Sequence, residues 1–210
     1  MIADLASFNV DTINIAVGYK ADAVQEVRVA LEKKYNVDLH LAYNHDYLST
    51  NTAYSLDIGL NDVHDDVVIF NGDMLYDYTI LSNLLSITQT AIAVDDKKKL
   101  TGESFKLRIV NGRIKEMGKS VPIEEATGEF IGISKIVRRD VEEAKRLLEV
   151  QIADDLNNYY DFIYQAISQN GNLVYSFTNG LKWTEIDDIY DLKYAKSIAD
   201  ASDSTRGHLR

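Results

Sequence analysis

The chain of 210 residues contains no cysteine and only one proline, Pro122. Without cysteine it has no disulfide framework, no thiolate nucleophile and no thiolate metal ligand, which fits a reducing compartment. One proline and eleven glycines argue against disorder or a linker-rich array. Long apolar runs are also missing. No stretch approaches the roughly 18 residues that a bilayer-crossing helix needs, and no charged-then-apolar leader opens the chain. The expectation is a soluble, cytoplasmic protein. Basic charge is scarce as well, with 22 Lys and Arg against 33 Asp and Glu, a net charge of −11. That argues against nucleic acid and anionic membrane as partners. It leaves room for small phosphorylated ligands, held by a divalent cation and a few local lysines. His40, His45, His64 and His208 are scattered without metal-ligand spacing. No Gly-x-Ser-x-Gly elbow, Walker loop or Gly-x-Gly-x-x-Gly is found, so nucleophilic catalysis has no support.

What is present has an order. A hydrophobic content of 46% is enough for one substantial core, expected over 1–198, with a disordered tail over 199–210. A short helix is expected over 1–8 and a strand over 12–17. Ala23, Val24, Val27, Ala30 and Leu31 recur at helical spacing within 21–35. An alternating strand follows over 37–43, with His40 on its polar phase. Then come a helix over 52–60, a strand over 66–71, a helix over 79–87 and a strand over 90–94. Such β-α alternation predicts an α/β fold with a mainly parallel sheet and helices on both faces. Later, Asn111-Gly112 marks a hairpin between 105–110 and 113–117. A strand over 130–137, helices over 140–150 and 159–169, a strand over 173–177, a shorter one from Trp183 and a helix over 188–198 complete the reading.

The stretch with most chemical content is Val67-Val68-Ile69-Phe70-Asn71-Gly72-Asp73. Four consecutive apolar residues read as a strand buried on both faces. The turn dipeptide Asn71-Gly72 ends it and delivers Asp73 to the carboxyl end, where open α/β sheets bind ligands. Asp73 as a metal ligand over a phosphate and Asp73 as part of a simple turn both remain open. A second acidic site, Trp183-Thr184-Glu185-Ile186-Asp187-Asp188, also follows a β segment. Asp188 is well placed as a helix N-cap. For Asp187, ligand and structural readings both stand. Magnesium takes one or two protein carboxylates together with water and phosphate oxygens. Lys20 and Lys119 follow glycine-containing turns, where a lysine either neutralises phosphate or is simply solvated. Tyr159, Tyr160 and Tyr164 with Asp161 form an aromatic-acidic group that suits either an ammonium ligand or ordinary packing. Lys97-Lys98-Lys99 reads most simply as a solvated loop.

Six segments in order resemble the nucleotidyltransferases that activate small phosphorylated compounds. The resemblance is greatest to cytidylyltransferases acting on choline phosphate, aminoethylphosphonate or inositol phosphate. The segments are Val17-Gly-Tyr-Lys-Ala-Asp22, Tyr43-Asn44 with Thr50-Asn-Thr-Ala-Tyr-Ser-Leu56, Phe70-Asn-Gly-Asp73, Gly118-Lys119, Gly128-Glu-Phe-Ile-Gly132 and Trp183-Thr-Glu-Ile-Asp187. The resemblance implies a Rossmann-like, glycosyltransferase-A-like sheet with a hairpin and helix substrate subdomain. It implies Mg2+ as cofactor, held by Asp73 and Asp187, and a catalytic role for Lys119. Asn51 and Ser55 would lie near a nucleoside triphosphate, CTP before others. Glu129 with Lys119 would lie near the phosphorylated substrate, and Tyr160 with Asp161 near its head group. It also implies a preceding strand, glycine-rich loop and Pro-Lys element, so the chain is expected to be an N-terminally truncated member. The expected place of that strand is between 12–17 and 66–71, leaving two edges open to homo-oligomerisation or a recruited strand. The competing expectation is a non-catalytic remnant that binds a phosphorylated small molecule or regulates a partner.

Overall fold

In the computed structural model the backbone is described for residues 1–206 and the side chains for residues 1–199. The helices are α1 (Ile2–Ser7), α2 (Ala21–Tyr35), α3 (Thr52–Gly59), α4 (Tyr78–Leu85), α5 (Arg138–Asp154), α6 (Phe162–Gln169) and α7 (Ile189–Arg206). The strands are β1 (Thr12–Val17), β2 (Asp38–Tyr43), β3 (Val67–Phe70), β4 (Met74–Tyr76), β5 (Ala91–Asp95), β6 (Lys106–Val110), β7 (Arg113–Gly118), β8 (Gly128–Ile136), β9 (Val174–Phe177) and β10 (Trp183–Glu185). Two units emerge: one from residues 1–65 with 139–166, the other from 66–138 with 167–210.

The first unit is built on β1 and β2, parallel from Thr12 opposite Asp38 to Val17 opposite Tyr43. A two-stranded sheet is marginal by itself, and here α3 packs on both strands and α2 on β2. Helix α3 begins where it does because Asn51 is extended at its N-cap and its side-chain oxygen accepts the Thr52 amide at 2.8 Å. Leu39, Ala53, Leu60, Val141, Ala144 and Leu148 form its core. Helix α2 has the bounds that its apolar spacing predicts, but that face is open. None of its residues is fully buried, and Val27 and Val29 are 49% and 62% exposed.

The second unit is organised by β8, whose nine residues are all buried. One side of β8 pairs antiparallel with β5, and the other with β3 and with the start of β6. Strand β5 pairs parallel with β9. So β3, β5 and β9 run in one direction and β8 against them, within an α/β arrangement. The expected hairpin is present as β6 and β7. A small antiparallel pair, β4 with β10, sets Trp183 opposite Tyr76 and Glu185 opposite Met74; β4 has no counterpart in the sequence reading. Helix α4 packs on β5, β8 and β9 and is capped by Asp77, which accepts the Thr79 amide at 2.8 Å.

The two glycines of Gly128-Glu-Phe-Ile-Gly132 are explained by close approach. A Cβ on Gly128 would lie 2.4 Å from the Asp95 carbonyl oxygen. Gly132 has φ +75°, and a Cβ there would meet the Asn71 side chain at 2.5 Å. The Asn71 amide meanwhile donates to the Gly132 carbonyl at 2.9 Å.

Two expectations need correction. The continuous apolar run of β3 is not buried on both faces; only Ile69 is buried, and Val67, Val68 and Phe70 are half-buried. Among the described residues β3 pairs with β8 alone, and β1 with β2 alone. The expected unstructured stretch over 199–210 is helical as far as Arg206, because α7 continues through a segment without proline or glycine. Residues 207–210 lie outside the described residues. No helix among the described residues is long and apolar enough to cross a membrane.

Candidate functional site

In the second unit the carboxylates expected to act together are brought together. The β4–β10 ladder ends with Glu185 opposite Met74, and one further backbone bond runs from the Ile186 amide to the Asp73 carbonyl at 3.0 Å. The link thus ties Asp73 to the residue that precedes Asp187. The following helix fixes the approach of Asp187. Asp188 Oδ1 accepts the amides of Tyr190 at 2.7 Å and Asp191 at 2.9 Å, and Asp191 Oδ2 accepts those of Asp187 and Asp188, both at 3.2 Å. Asp188 is thus the N-terminal cap, as its position in the sequence suggests.

Glu185, which the sequence reading passed over, lies between the two aspartates electrostatically. Burial first, then the charges of Asp73 and Asp187, push its carboxyl above the ordinary range, while Lys98 and a hydrogen bond with Asn71 oppose them. Like charges held this close are unfavourable unless a cation joins them. Asp73 and Asp187 are exposed and Glu185 is half-buried, so the group faces solvent. Among the described residues, no three carboxylates or histidines converge closely enough to hold a metal without other ligands. The donor set instead fits a cation that takes two protein carboxylates and completes its shell with water and phosphate oxygens.

Next to this group is a network centred on Asp95, 5% exposed at the end of β5. Its Oδ1 accepts the amides of Lys97 at 2.6 Å and Lys98 at 3.0 Å. Its Oδ2 accepts the Trp183 indole N–H. Burial by itself would raise the Asp95 carboxyl. The hydrogen bonds from Trp183, Lys97 and Lys98, with the Lys98 ammonium nearby, outweigh it and hold the carboxyl below the ordinary range. The Lys98 ammonium lies 4.3 Å from the centre of the Trp183 ring and 3.7 Å from Glu129 Oε1. Lys98 is thus an exposed loop residue, as its setting in a lysine run suggests, that also contacts Trp183 and Glu129. No local signal marks it, since its partners lie on β8 and β10.

Glu129 is 6% exposed on β8, opposite both Asp95 and Lys106. Lys119 forms an ion pair with Glu103 at 2.9 Å, and the Lys98 ammonium lies beside Glu129. The remaining expected residues belong to the first unit. Asn51 caps α3. Ser55 Oγ accepts from Asn44 Nδ2 at 3.1 Å, and Asn44 also donates to Thr50 Oγ1 at 2.9 Å. Asn44 is 4% exposed and accepts the Asp46 amide at 3.0 Å. It organises the loop before α3, a role its place beside Tyr43 in the motif hinted at without defining. Tyr160 is 4% exposed with its ring edge-on to Tyr164, which is the packing alternative for that cluster. Asp161 follows it, half-buried. Lys20 opens α2 in a left-handed conformation, its ammonium 5.2 Å from the Tyr19 ring centre.

The arrangement of these strands and helices is a nucleotidyltransferase-type fold. Solved structures bear this out. The inositol-1-phosphate CTP transferase from T. maritima superposes with a TM-score of 0.75 at 16% identity, over 94% of this chain and 80% of that one. The CTP:phosphocholine cytidylyltransferase from Streptococcus pneumoniae gives 0.70 at 17% identity, over 94% and 82%. A putative glucose-1-phosphate thymidylyltransferase from Bacillus anthracis gives 0.70 at 18%, over 94% and 80%. No curated protein matches the chain. Residues 2–107 match the family model described as a domain of unknown function, DUF6564, and the chain belongs to that family.

Proposed function

We propose that the chain is a nucleotidyltransferase that joins a nucleotidyl group, with CTP as the favoured donor, to a small phosphorylated substrate and releases pyrophosphate. The observation that carries this reading is that the charges of Asp73 and Asp187 both act on half-buried Glu185, with Asp73 hydrogen-bonded through its carbonyl to Ile186, the residue before Asp187. A substrate phosphate oxygen attacks the α-phosphorus of the triphosphate, the new P–O bond forms, and the bond to pyrophosphate breaks. Such a step asks little covalent chemistry of the protein and depends on positioning and charge neutralisation. Asp73 and Asp187 are the residues that would hold Mg2+. That ion, when bound, neutralises charge on the phosphates and orients them. Asn71 holds Glu185 by a hydrogen bond, and Asp191 holds the backbone at Asp187 by accepting its amide. Lys98 supplies positive charge from the loop after β5.

The test is pyrophosphate release from CTP with magnesium and a panel of phosphorylated amines, polyols and sugars. Turnover of at least one panel member is expected. Asp73→Asn should lower turnover by about a thousandfold or more, in line with loss of a metal-bound charge-stabilising interaction, and weaken Mn2+ binding measured by electron paramagnetic resonance, with an unchanged circular dichroism spectrum. Binding of a panel member without any pyrophosphate release would instead favour the non-catalytic, ligand-binding reading.

A further inference from the structure

Glu129 and Lys98 are set close together but are not hydrogen-bonded. Glu129 Oε1 is buried and has no hydrogen-bond partner, a costly state for a carboxylate oxygen. Lys98 Nζ stands 3.7 Å from it, beyond the usual hydrogen-bond limit of about 3.2 Å. By contrast, Lys97 and Lys119 are in direct ion pairs at 2.9 Å, with Asp96 and Glu103. The Lys98 side chain is 55% exposed and therefore reachable from solvent. Its backbone is tied by the Asp95 turn and its ammonium rests on the face of Trp183. Trp183 is itself oriented by its indole hydrogen bond to Asp95. The cation–π position on this ring is thus filled from within the chain.

Resting on the nucleotidyltransferase reading above, we infer that the second substrate is a phosphorylated polyol or sugar, one of whose hydroxyls bridges Glu129 and Lys98, and not a phosphorylated quaternary ammonium compound. A hydroxyl can accept from the lysine and donate to the carboxylate, meeting both unmet demands at once. A quaternary ammonium group has no N–H for Glu129. It would also bring a second positive charge to a ring face that already carries one. The phosphate of either substrate class is attracted by Lys98, so the hydroxyl makes the difference between them.

The chain has a single tryptophan, so its fluorescence reports on this subsite directly. The full chain, with magnesium and with or without CTP, is titrated with myo-inositol 1-phosphate, glucose 1-phosphate, phosphocholine and inorganic phosphate. At least one of the two hydroxylated phosphates is expected to bind tenfold or more tightly than phosphocholine and to shift the Trp183 emission. Glu129→Gln should weaken that ligand more than it weakens inorganic phosphate. Lys98→Met should erase or reverse the preference over phosphocholine, and Lys98→Arg should keep it, with circular dichroism confirming that each variant is folded. The inference is overturned if phosphocholine binds as tightly as the hydroxylated phosphates, if none of the four binds, or if Lys98→Met leaves the preference intact. Pyrophosphate release separates the two levels. Turnover with phosphocholine alone would defeat the substrate class and keep the nucleotidyl transfer. The stated binding preference without turnover would defeat the transfer and keep the substrate class.

Discussion

Two carboxylates illustrate how position sets titration. The Asp95 carboxyl is lowered because the indole N–H of Trp183 and two backbone amides outweigh its burial. A lowered folded value means stability that is present above the unfolded value, about 3.9, and lost as pH falls through the folded one. Trp183→Phe removes the indole donor and should cost about 1–3 kcal/mol at pH 7, the usual worth of a hydrogen bond to a charged group. The difference from the wild type should fade below about pH 4 as the carboxylate protonates, which urea denaturation at a series of pH values will show. In the first unit Asp57 behaves oppositely. Burial first, and then Glu149, raise it against the opposing charge of Lys145. A raised carboxyl binds its proton more readily in the folded state, so its contribution is present at low pH and lost as pH rises through the folded value. Asp57→Asn should therefore raise the melting temperature at neutral pH, with the gain shrinking toward pH 4. An unchanged melting temperature at pH 7 would reject that assignment. Asp73 and Asp187 were legible as candidates because each follows a β segment. Glu185, Lys98 and the Trp183–Asp95 pair were not, because what matters about them is which distant residues they meet, across 88 positions of chain for Trp183 and Asp95.

At the scale of elements, the carboxylate group exists because β4 and β10 pair and because β8 can approach its neighbours. Gly128 and Gly132 make that approach possible. Alanine at either position should destabilise by about 1–3 kcal/mol, through overpacking and, at Gly132, through its positive φ. Gly128→Ala should be the worse of the two, because it meets the Asp95 backbone carbonyl, whereas Gly132→Ala meets the more mobile end of Asn71. Guanidinium denaturation would decide, and equal stability of both variants with the wild type would remove the packing role. The helices and strands were largely readable, since capping at Asn51 and Asp77, the Asn111-Gly112 turn and apolar periodicity all act locally. Strand β4 escaped notice because three residues after a turn carry too little periodicity to register. Helix α2 lies where its spacing predicts it. Its apolar spacing is real, yet too little packs over it to bury any residue fully.

For the molecule as a whole, the net charge of −11 keeps long-range electrostatics unfavourable to polyanions, and the cations that matter are local. Strands β1 and β3 each have one hydrogen-bonded neighbour among the described residues. An open strand edge is a template for pairing with another chain. Sedimentation velocity should accordingly reveal association that grows with protein concentration. Ala16→Lys, which puts a charge at an exposed position of β1, should reduce it. A single monomeric species at every concentration would show these edges to be closed in solution.

The sequence by itself determined most of the elements, their order, the α/β class and the places of Asp73 and Asp187 beside β segments, because periodicity, turn dipeptides and composition act within a few residues. Only the tertiary structure decided that β8 lies between β3 and β5, that Glu185 feels the charges of both aspartates, and that Lys98 stands beside Glu129. Strand neighbours and charge partners are chosen by burial and register between segments far apart in the chain, and no local pattern records that choice.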